Sequence, residues 1–378
     1  MHVCMLIMNT MRYEGRVVRE AQALGKEGHE VAVLAFAEQG LPIVEKEGPF
    51  TIHRFWLGTR RLPKSKGFLL ARYLEYVPKA TILSARAKAD VYHAHDLPTL
   101  LPAYWAARLV GARIVYDAHE LWPYLPGMAG KGWWRWLERT LIHKADRVIT
   151  ANEGRACFLQ EKYRLSRKPL AVHNYPLYKP MQRTALLHDY LGQQGISPRF
   201  IVLYQGVFQE DRYLDSLIAS ADSLPHDIVI VLIGYSLNPA YGEYLRDMAR
   251  SRDNVVFHKA IPQAQLLNYT ASADVGIVFY KRQGPNYDYC APNKLYDYIM
   301  AGLPSIGNHL RCLEEFEKQG VAILVDPSTP SQIAEAILHL EEDPGLYTVM
   351  RRKALQLARE VYRWDRESST LIATYAEL

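Results

Sequence analysis

Short apolar runs recur along the chain, each followed by a longer stretch in which apolar residues return every three or four positions. The first half holds "HVCMLIM", "EVAVLAF", "VYHAH", "ARIVYDAH" and "RVITA"; the second holds "FIVLYQG", "DIVIVLIG", "NVVFHKA", "DVGIVFY", "PSIGN" and "VAILVD". Runs that are apolar at successive positions are buried on both faces, and their alternation with helical patterns predicts parallel sheets covered by helices. Two such series predict two doubly wound, Rossmann-like domains. Residues 174–198 supply prolines and glycines and no strand pattern, so they read as a linker. The expected division is a first domain over 1–175, a linker over 176–198 and a second domain over 199–362. A tryptophan-led helix with Asp365 as its cap, over 363–378, is expected to pack back on the first domain. The length of 378 residues suits two domains better than one.

Composition narrows the class. Nearly half of the residues are apolar, as in a globular chain, and no stretch of about 18 apolar residues appears. The start, "MHVCMLIMNT", reads as a first strand and not as a signal peptide. Cys4, Cys157, Cys290 and Cys312 lie far apart in sequence with no C-x-x-C pair, which argues against a disulfide framework and a zinc site. A reducing, cytoplasmic setting is expected. The net charge of +5 hides a concentration: residues 54–89 carry nine lysines and arginines against Glu75 alone. Such a window is either a solvated helix face or a patch for anionic lipid or phosphate.

Open α/β sheets bind ligands at the carboxyl ends of their strands, so the site is expected where two such sheets would face each other across a cleft. After the first strand, Gly15 opens a helix whose free N–H groups suit a phosphate or a sugar hydroxyl, although a simple turn is the plainer reading. The absence of G-x-G-x-x-G leaves nicotinamide binding unsupported. Asp117, His119 and Glu120 end one strand and precede a proline-containing loop, which aims His119 at a ligand. His93 and His95 end the strand before it; with Asp96 they suggest metal ligation, yet no second cluster in the sequence completes a coordination sphere. In the second half, Gly206 ends a strand and permits close backbone approach, and Arg212 follows at a helix start, where a guanidinium suits a diphosphate. The turn at Ile261 and Pro262 could present backbone groups to a nucleobase.

The segment "APNKLYDYIMAGLPSIG" resembles the P-N-K-L-x-E-Y-x-A-x-G-x-P signature of the nucleotide-sugar-dependent glycosyltransferases of family 4. "LYQGVFQEDR", "VVFHKAIPQAQLLNYTASADVGIV", "GVAILVDPSTPSQIAEAI" and "VYHAHDLPTLLPAYWAARLVGARIVYDAHE" support the resemblance in chain order. It implies a GT-B fold, retention of anomeric configuration and a nucleoside-diphosphate sugar donor, with no metal or other cofactor. Asp297 takes the role of the carboxylate that holds the ribose hydroxyls, on the helix turn that also carries Asn293, Lys294 and Leu295. Lys294 is placed near phosphate or as a structural partner. His119 would contact the donor sugar.

Two departures from the family pattern stand out. The earlier of two paired glutamates falls on Tyr289, with Asp288 beside it, and the usual arginine and lysine five apart fall on Val207 and Arg212. Arg212 is then the main cation at the departing diphosphate, with Lys281, Arg282 or Lys294 compensating. Transfer to a hydroxyl acceptor in glycan, polysaccharide or glycolipid assembly is the expected activity. A catalytically silent homologue acting as a binding subunit and a sugar-nucleotide 2-epimerase of the same fold are the alternatives. The basic window and the aromatic stretch 131–139 ("KGWWRWLER") further suggest peripheral docking on the inner face of an anionic membrane, through Leu69, Leu70, Tyr73, Leu74 and Val77 at helical spacing and Trp133, Trp134 and Trp136. A nucleic acid partner is not expected.

Overall fold

Every apolar run named above forms a strand in the computed structural model, which describes residues 1–12, 14–61, 66–125, 128 and 132–378. The chain divides into one unit of Met1–Asn174 with Arg366–Leu378 and another of Tyr175–Asp365.

In the first unit the order is β1 (His2–Leu6), α1 (Gly15–Lys26), β2 (Glu30–Phe36), β3 (Val44–Glu47), β4 (Phe50–Phe55), α2 (Lys66–Arg86), β5 (Val91–His95), α3 (Leu97–Val110), β6 (Arg113–Ala118), α4 (Gly132–Leu141), β7 (Arg147–Thr150), α5 (Glu153–Tyr163) and β8 (Leu170–Ala171). They build one sheet in the order β3-β4-β2-β1-β5-β6-β7-β8. All neighbours are parallel except β3 and β4, which form an antiparallel edge. Met5 of β1 lies opposite Val33 on one side and His93 on the other. The strand order reverses between β1 and β5, and an open α/β sheet parts its flanking helices at such a switch point, leaving room for a ligand.

The second unit continues with α6 (Leu186–Gly192), β9 (Phe200–Phe208), α7 (Leu214–Ser220), β10 (Ile228–Ser236), α8 (Pro239–Ala249), β11 (Val255–Lys259), α9 (Gln263–Thr270), β12 (Val275–Val278), α10 (Pro285–Asp288), α11 (Asn293–Ala301), β13 (Ser305–Asn308), α12 (Arg311–Lys318), β14 (Ala322–Val325), α13 (Pro330–Glu342) and α14 (Pro344–Glu360). Its parallel sheet runs β11-β10-β9-β12-β13-β14 and reverses between β9 and β12. Ile201, Leu203, Val229, Val231 and Leu295 fill the core on one face, and Val202, Leu232, Leu217 and Ile337 fill it on the other. Near their carboxyl ends β9 and β10 pair Gly206 with Gly234. A Cβ on Gly234, whose φ is 156°, would stand 1.9 Å from the Gly206 carbonyl oxygen, so only glycine lets the strands meet there.

The stretch expected as a linker is corrected: it contains α6, whose Leu187 and Leu191 are buried in the core of the second unit. The apolar pair outweighs the flanking prolines and glycines. The final helix, α15 (Trp364–Ala376), starts with the Trp364 N–H bonded to the Pro176 carbonyl. From Arg366 onward it belongs to the first unit, where Tyr375 is buried and its hydroxyl lies 2.8 Å from His93 Nδ1. Among the described residues, no helix is long and apolar enough to cross a membrane.

Candidate functional site

The end of β5 and the end of β6 lie side by side, with His95 opposite Asp117. Helix α1 turns Arg16, Val17, Glu20, Ala21 and Leu24 inward, so that two ionisable side chains at i and i+4 face the strand ends. Arg16 donates from Nε and Nη2 to the two oxygens of Asp117, both at 2.9 Å, and from Nη1 to the Val172 carbonyl; its Nε is 3.0 Å from Glu20 Oε1. Burial opposes ionisation of Asp117, but the Arg16 and His119 charges outweigh it and hold the carboxyl well below its usual range.

His119 Nε2 is 3.0 Å from Asp117 Oδ2 and 3.0 Å from His95 Nδ1, and its Nδ1 is 3.8 Å from Asp96 Oδ2. Burial works against the imidazolium, yet the carboxylates of Asp117 and Asp96 prevail and raise its pKa to about 9. His95 goes the other way, to about 4, chiefly through burial. Asp96 is pushed up to about 6 by burial, against the pull of His119. It also sits at φ 64°, ψ 160°, a backbone state that L residues avoid and that persists where surrounding structure imposes it. A cavity of about 240 Å³ opens here, lined by Asn9, Glu14, His95, Asp96, His119 and Trp122 among others. Glu14 rather than Gly15 lines it; Gly15 opens α1 beside the Arg19 side chain.

The expectation that nothing completes a coordination sphere around His93 and His95 is corrected. The fold brings Glu20 and Asp117, distant in sequence, to both histidines, with one ligand atom of each of the four within 4.8 Å of the others. The Arg16 guanidinium, however, lies against both carboxylates and already supplies the positive charge a cation would bring.

In the second unit the predicted residues gather at the other switch point. Arg212, in the turn after β9, has Nη1 2.7 Å from Asp211 Oδ2 and its guanidinium 4.2 Å from the centre of the Tyr280 ring. Lys294, the second residue of α11, holds Nζ 3.8 Å from the Tyr204 ring centre and 5.9 Å from that of Tyr280. Burial first, and then the charge of Arg212, push the Lys294 ammonium well below its usual pKa. Gly206, at φ 130°, lies beside it: a Cβ there would be 3.5 Å from Lys294 Nζ. Asp297 is one turn further along α11, not on its first turn as expected, and accepts from Gln205 Nε2 at 3.2 Å; Gln205 in turn accepts from the Thr270 hydroxyl.

The remaining predicted positions divide. Asn293 is exposed at the first residue of α11. Tyr289 accepts at its hydroxyl from Arg311 at 2.7 Å. Ile261 is partly buried against the core. Leu295 is fully buried and its N–H bonds the Pro292 carbonyl. Lys281 lies over Tyr213, its N–H on the Asp211 carbonyl, while Arg282 pairs with Asp288. Lys294 is therefore the cation that joins Arg212 around Tyr280. The rings of Tyr204 and Tyr280 and the Arg16–Glu20 pair were not singled out from sequence. The i,i+4 spacing of Arg16 and Glu20 on the apolar face of α1 was the available signal for the pair.

Two Rossmann-like sheets in one chain, each with polar groups at its switch point, place the molecule in the GT-B class. Residues 14–175 match the "Glycosyl transferase 4-like domain" and residues 191–357 match "Glycosyl transferases group 1", so the chain is a glycosyltransferase built from these two domains in series. No curated protein sequence matches it. Similar solved structures include a sucrose-phosphate synthase from Thermosynechococcus elongatus, with TM-score 0.82, 17% identity and coverage of 100% of this chain and 98% of that one. Anabaena HepE in complex with UDP-glucose has TM-score 0.75 and 15% identity, with both chains fully covered. A UDP-forming α,α-trehalose-phosphate synthase from Burkholderia vietnamiensis has the same TM-score, identity and coverage. At such identities the likeness speaks for the fold.

Proposed function

We propose that the chain transfers a sugar, with retention, from a nucleoside-diphosphate sugar to a hydroxyl acceptor, without a metal, as in family 4. The observation that carries the reading is the meeting of Arg212 and Lys294 around Tyr280 at the switch point of the group 1 domain. Arg212 in the turn after β9 and Lys294 at the start of α11, protonated as the diphosphate arrives, suit that diphosphate together with the α11 N-terminal dipole and stabilise the charge it gains as its bond to the sugar breaks. Asp297 accepts the ribose hydroxyls, and the turn at Ile261 meets the base. Tyr289 and Asn293 are assigned to the donor on the resemblance alone. His119, held cationic by Asp117 and Asp96, donates to the sugar. The C1–O bond to phosphate breaks, the acceptor oxygen bonds C1 on the same face, and the acceptor proton passes to the departing phosphate oxygen. That the structurally similar HepE was solved with UDP-glucose favours a nucleotide sugar as donor.

We propose further that the first unit takes a lipid-linked acceptor at an anionic membrane, a reading that its exposed apolar and basic residues support. Phe68, Leu70 and Leu74 of α2 and Trp136 of α4 are exposed, whereas Tyr73 is buried and packs its ring 5.2 Å from that of Trp134. Arg61, Lys79, Arg86 and Lys88 are exposed nearby in sequence. The basic window shrinks in the fold, because Arg54 is buried against Glu45, whereas Arg60 stays exposed with its guanidinium on the Ala37 carbonyl. Lys64 and Lys131 lie outside the described residues.

Saturation-transfer NMR with UDP-, GDP- and dTDP-sugars, followed by product analysis with an acceptor alcohol in EDTA, tests the reading. Expected is binding of one nucleotide series and a product of unchanged anomeric configuration. Isomerisation of the donor without transfer, binding without turnover, or activity restored only by a divalent ion would each overturn it.

A further inference from the structure

Two thiols that this chemistry leaves unused meet in the second unit, although twenty-one residues separate them in sequence. Cys290 is buried in the turn between α10 and α11, and Cys312 is partly exposed on the first turn of α12. Their sulfurs are 2.9 Å apart. The backbone on both sides is tied in place. Arg311, next to Cys312, donates to the hydroxyl of Tyr289, next to Cys290. Asn308, just before α12, bonds both the N–H and the carbonyl of Tyr280. The Cys290 N–H is held by the Tyr287 carbonyl. A disulfide, at about 2.05 Å, asks the sulfurs to close by less than an ångström. Cys4 and Cys157 belong to the other unit and have no part in the pair.

We propose that Cys290 and Cys312 form a reversible disulfide that clamps the α10–α11 turn to α12. The more accessible Cys312 thiolate attacks a low-molecular-weight disulfide such as oxidised glutathione, forming a mixed disulfide and releasing one glutathione thiolate. The Cys290 thiolate then attacks the Cys312 sulfur and displaces the second glutathione. The two protein protons end on the two released thiols, and a dithiol reductant runs the sequence backwards. Because α11 carries Lys294 and Asp297, any effect on donor binding rests on the proposed function; formation of the bond does not, and it is read without nucleotide.

The experiment incubates the full chain with oxidised glutathione, blocks remaining thiols with an alkylating agent and maps peptides by mass spectrometry. Expected is a linked pair of peptides containing Cys290 and Cys312, lighter by two hydrogens than the thiol pair and restored by dithiothreitol, with Cys4 and Cys157 alkylated. The linkage is lost in Cys312→Ser, whose fold is checked by circular dichroism. Amide exchange across residues 284–294 slows in the oxidised protein. A stable glutathione adduct on Cys312 alone, or alkylation of both thiols after long incubation, would overturn the bond, and unchanged exchange across 284–294 would overturn the clamp.

Discussion

Replacing Asp117 by Asn removes one charge while keeping the shape of the side chain and an oxygen that accepts from Arg16. His119 then loses the nearer of its two carboxylates, the one 3.0 Å from Nε2, and keeps Asp96 at 3.8 Å. The interval between the ordinary 6.5 and about 9 is worth ~3 kcal/mol at ~1.4 kcal/mol per pH unit, and it is the surplus of both carboxylates over the cost of burial. Losing the larger contributor should lower the His119 midpoint by at least about one pH unit. The sign for stability follows. A group whose folded pKa is raised stabilises the fold fully below its unfolded value and loses that contribution as pH rises. The parent should therefore lose the His119 contribution between 6.5 and about 9, and the variant should lose less there. Arg16 is left with Glu20 as its one carboxylate, so the variant should melt earlier at every pH. The assay is a titration of the histidine ring nitrogens by NMR in both proteins, alongside thermal melts. If the His119 midpoint is the same in both, Asp117 is not what holds the imidazolium, and the electrostatic account of this site fails.

Asp297→Ala should lower nucleotide affinity about tenfold or more by calorimetry, the loss of ~1.5 to 3 kcal/mol for a charged hydrogen bond; equal affinity rejects the ribose assignment. Arg212→Ala should reduce turnover by about two orders of magnitude or more while leaving the melting profile nearly intact; a loss confined to KM would assign Arg212 to ground-state binding. An arriving diphosphate should raise the depressed Lys294 pKa, so nucleotide binding should take up a proton at a pH between the free and bound midpoints. Calorimetry in buffers of different ionisation enthalpy reads this, and an uptake that persists in Lys294→Met places the proton elsewhere. Co-sedimentation with vesicles of rising anionic content should fall in Arg61→Glu with Lys79→Glu and at high salt, as screening shortens to about 3 Å at 1 M; negligible binding by parent and variant alike ends the membrane reading.

The strands were legible because parallel strands buried on both faces leave unbroken apolar runs such as "DIVIVLIG", which no other setting explains as simply. The edge hairpin was not: β3 alternates exposed and half-buried positions in "VEKE", and the turn to β4 rests on one glycine, Gly48, at φ 59°. Edge strands of this kind carry charge instead of apolar pattern. The same holds for the sites. Residues that close a strand, such as His119 and Gly206, could be picked out along the chain. Which of Lys281, Arg282 and Lys294 joins Arg212, the four-residue cluster around Asp117, and the Cys290–Cys312 contact could not, because each joins elements whose spacing only the strand order sets. Leu295 shows the reverse: it sits inside the most recognisable motif, yet its side chain serves the core.

The helix α15 passes from Trp364 in the second unit to Tyr375 in the first, so the chain enters and leaves the second unit within its own span. During synthesis the second unit can complete itself from one continuous stretch. The first cannot, since Glu367, which holds His173, and Tyr375, which closes over His93, leave the ribosome after everything else in both units. Until then the histidine cluster lacks its cover and stays open to water. The earlier-made part of the first unit thus waits for that unit's last helix, and chains cut short before Glu367 should expose that cluster to proteolysis while the second unit stands firm.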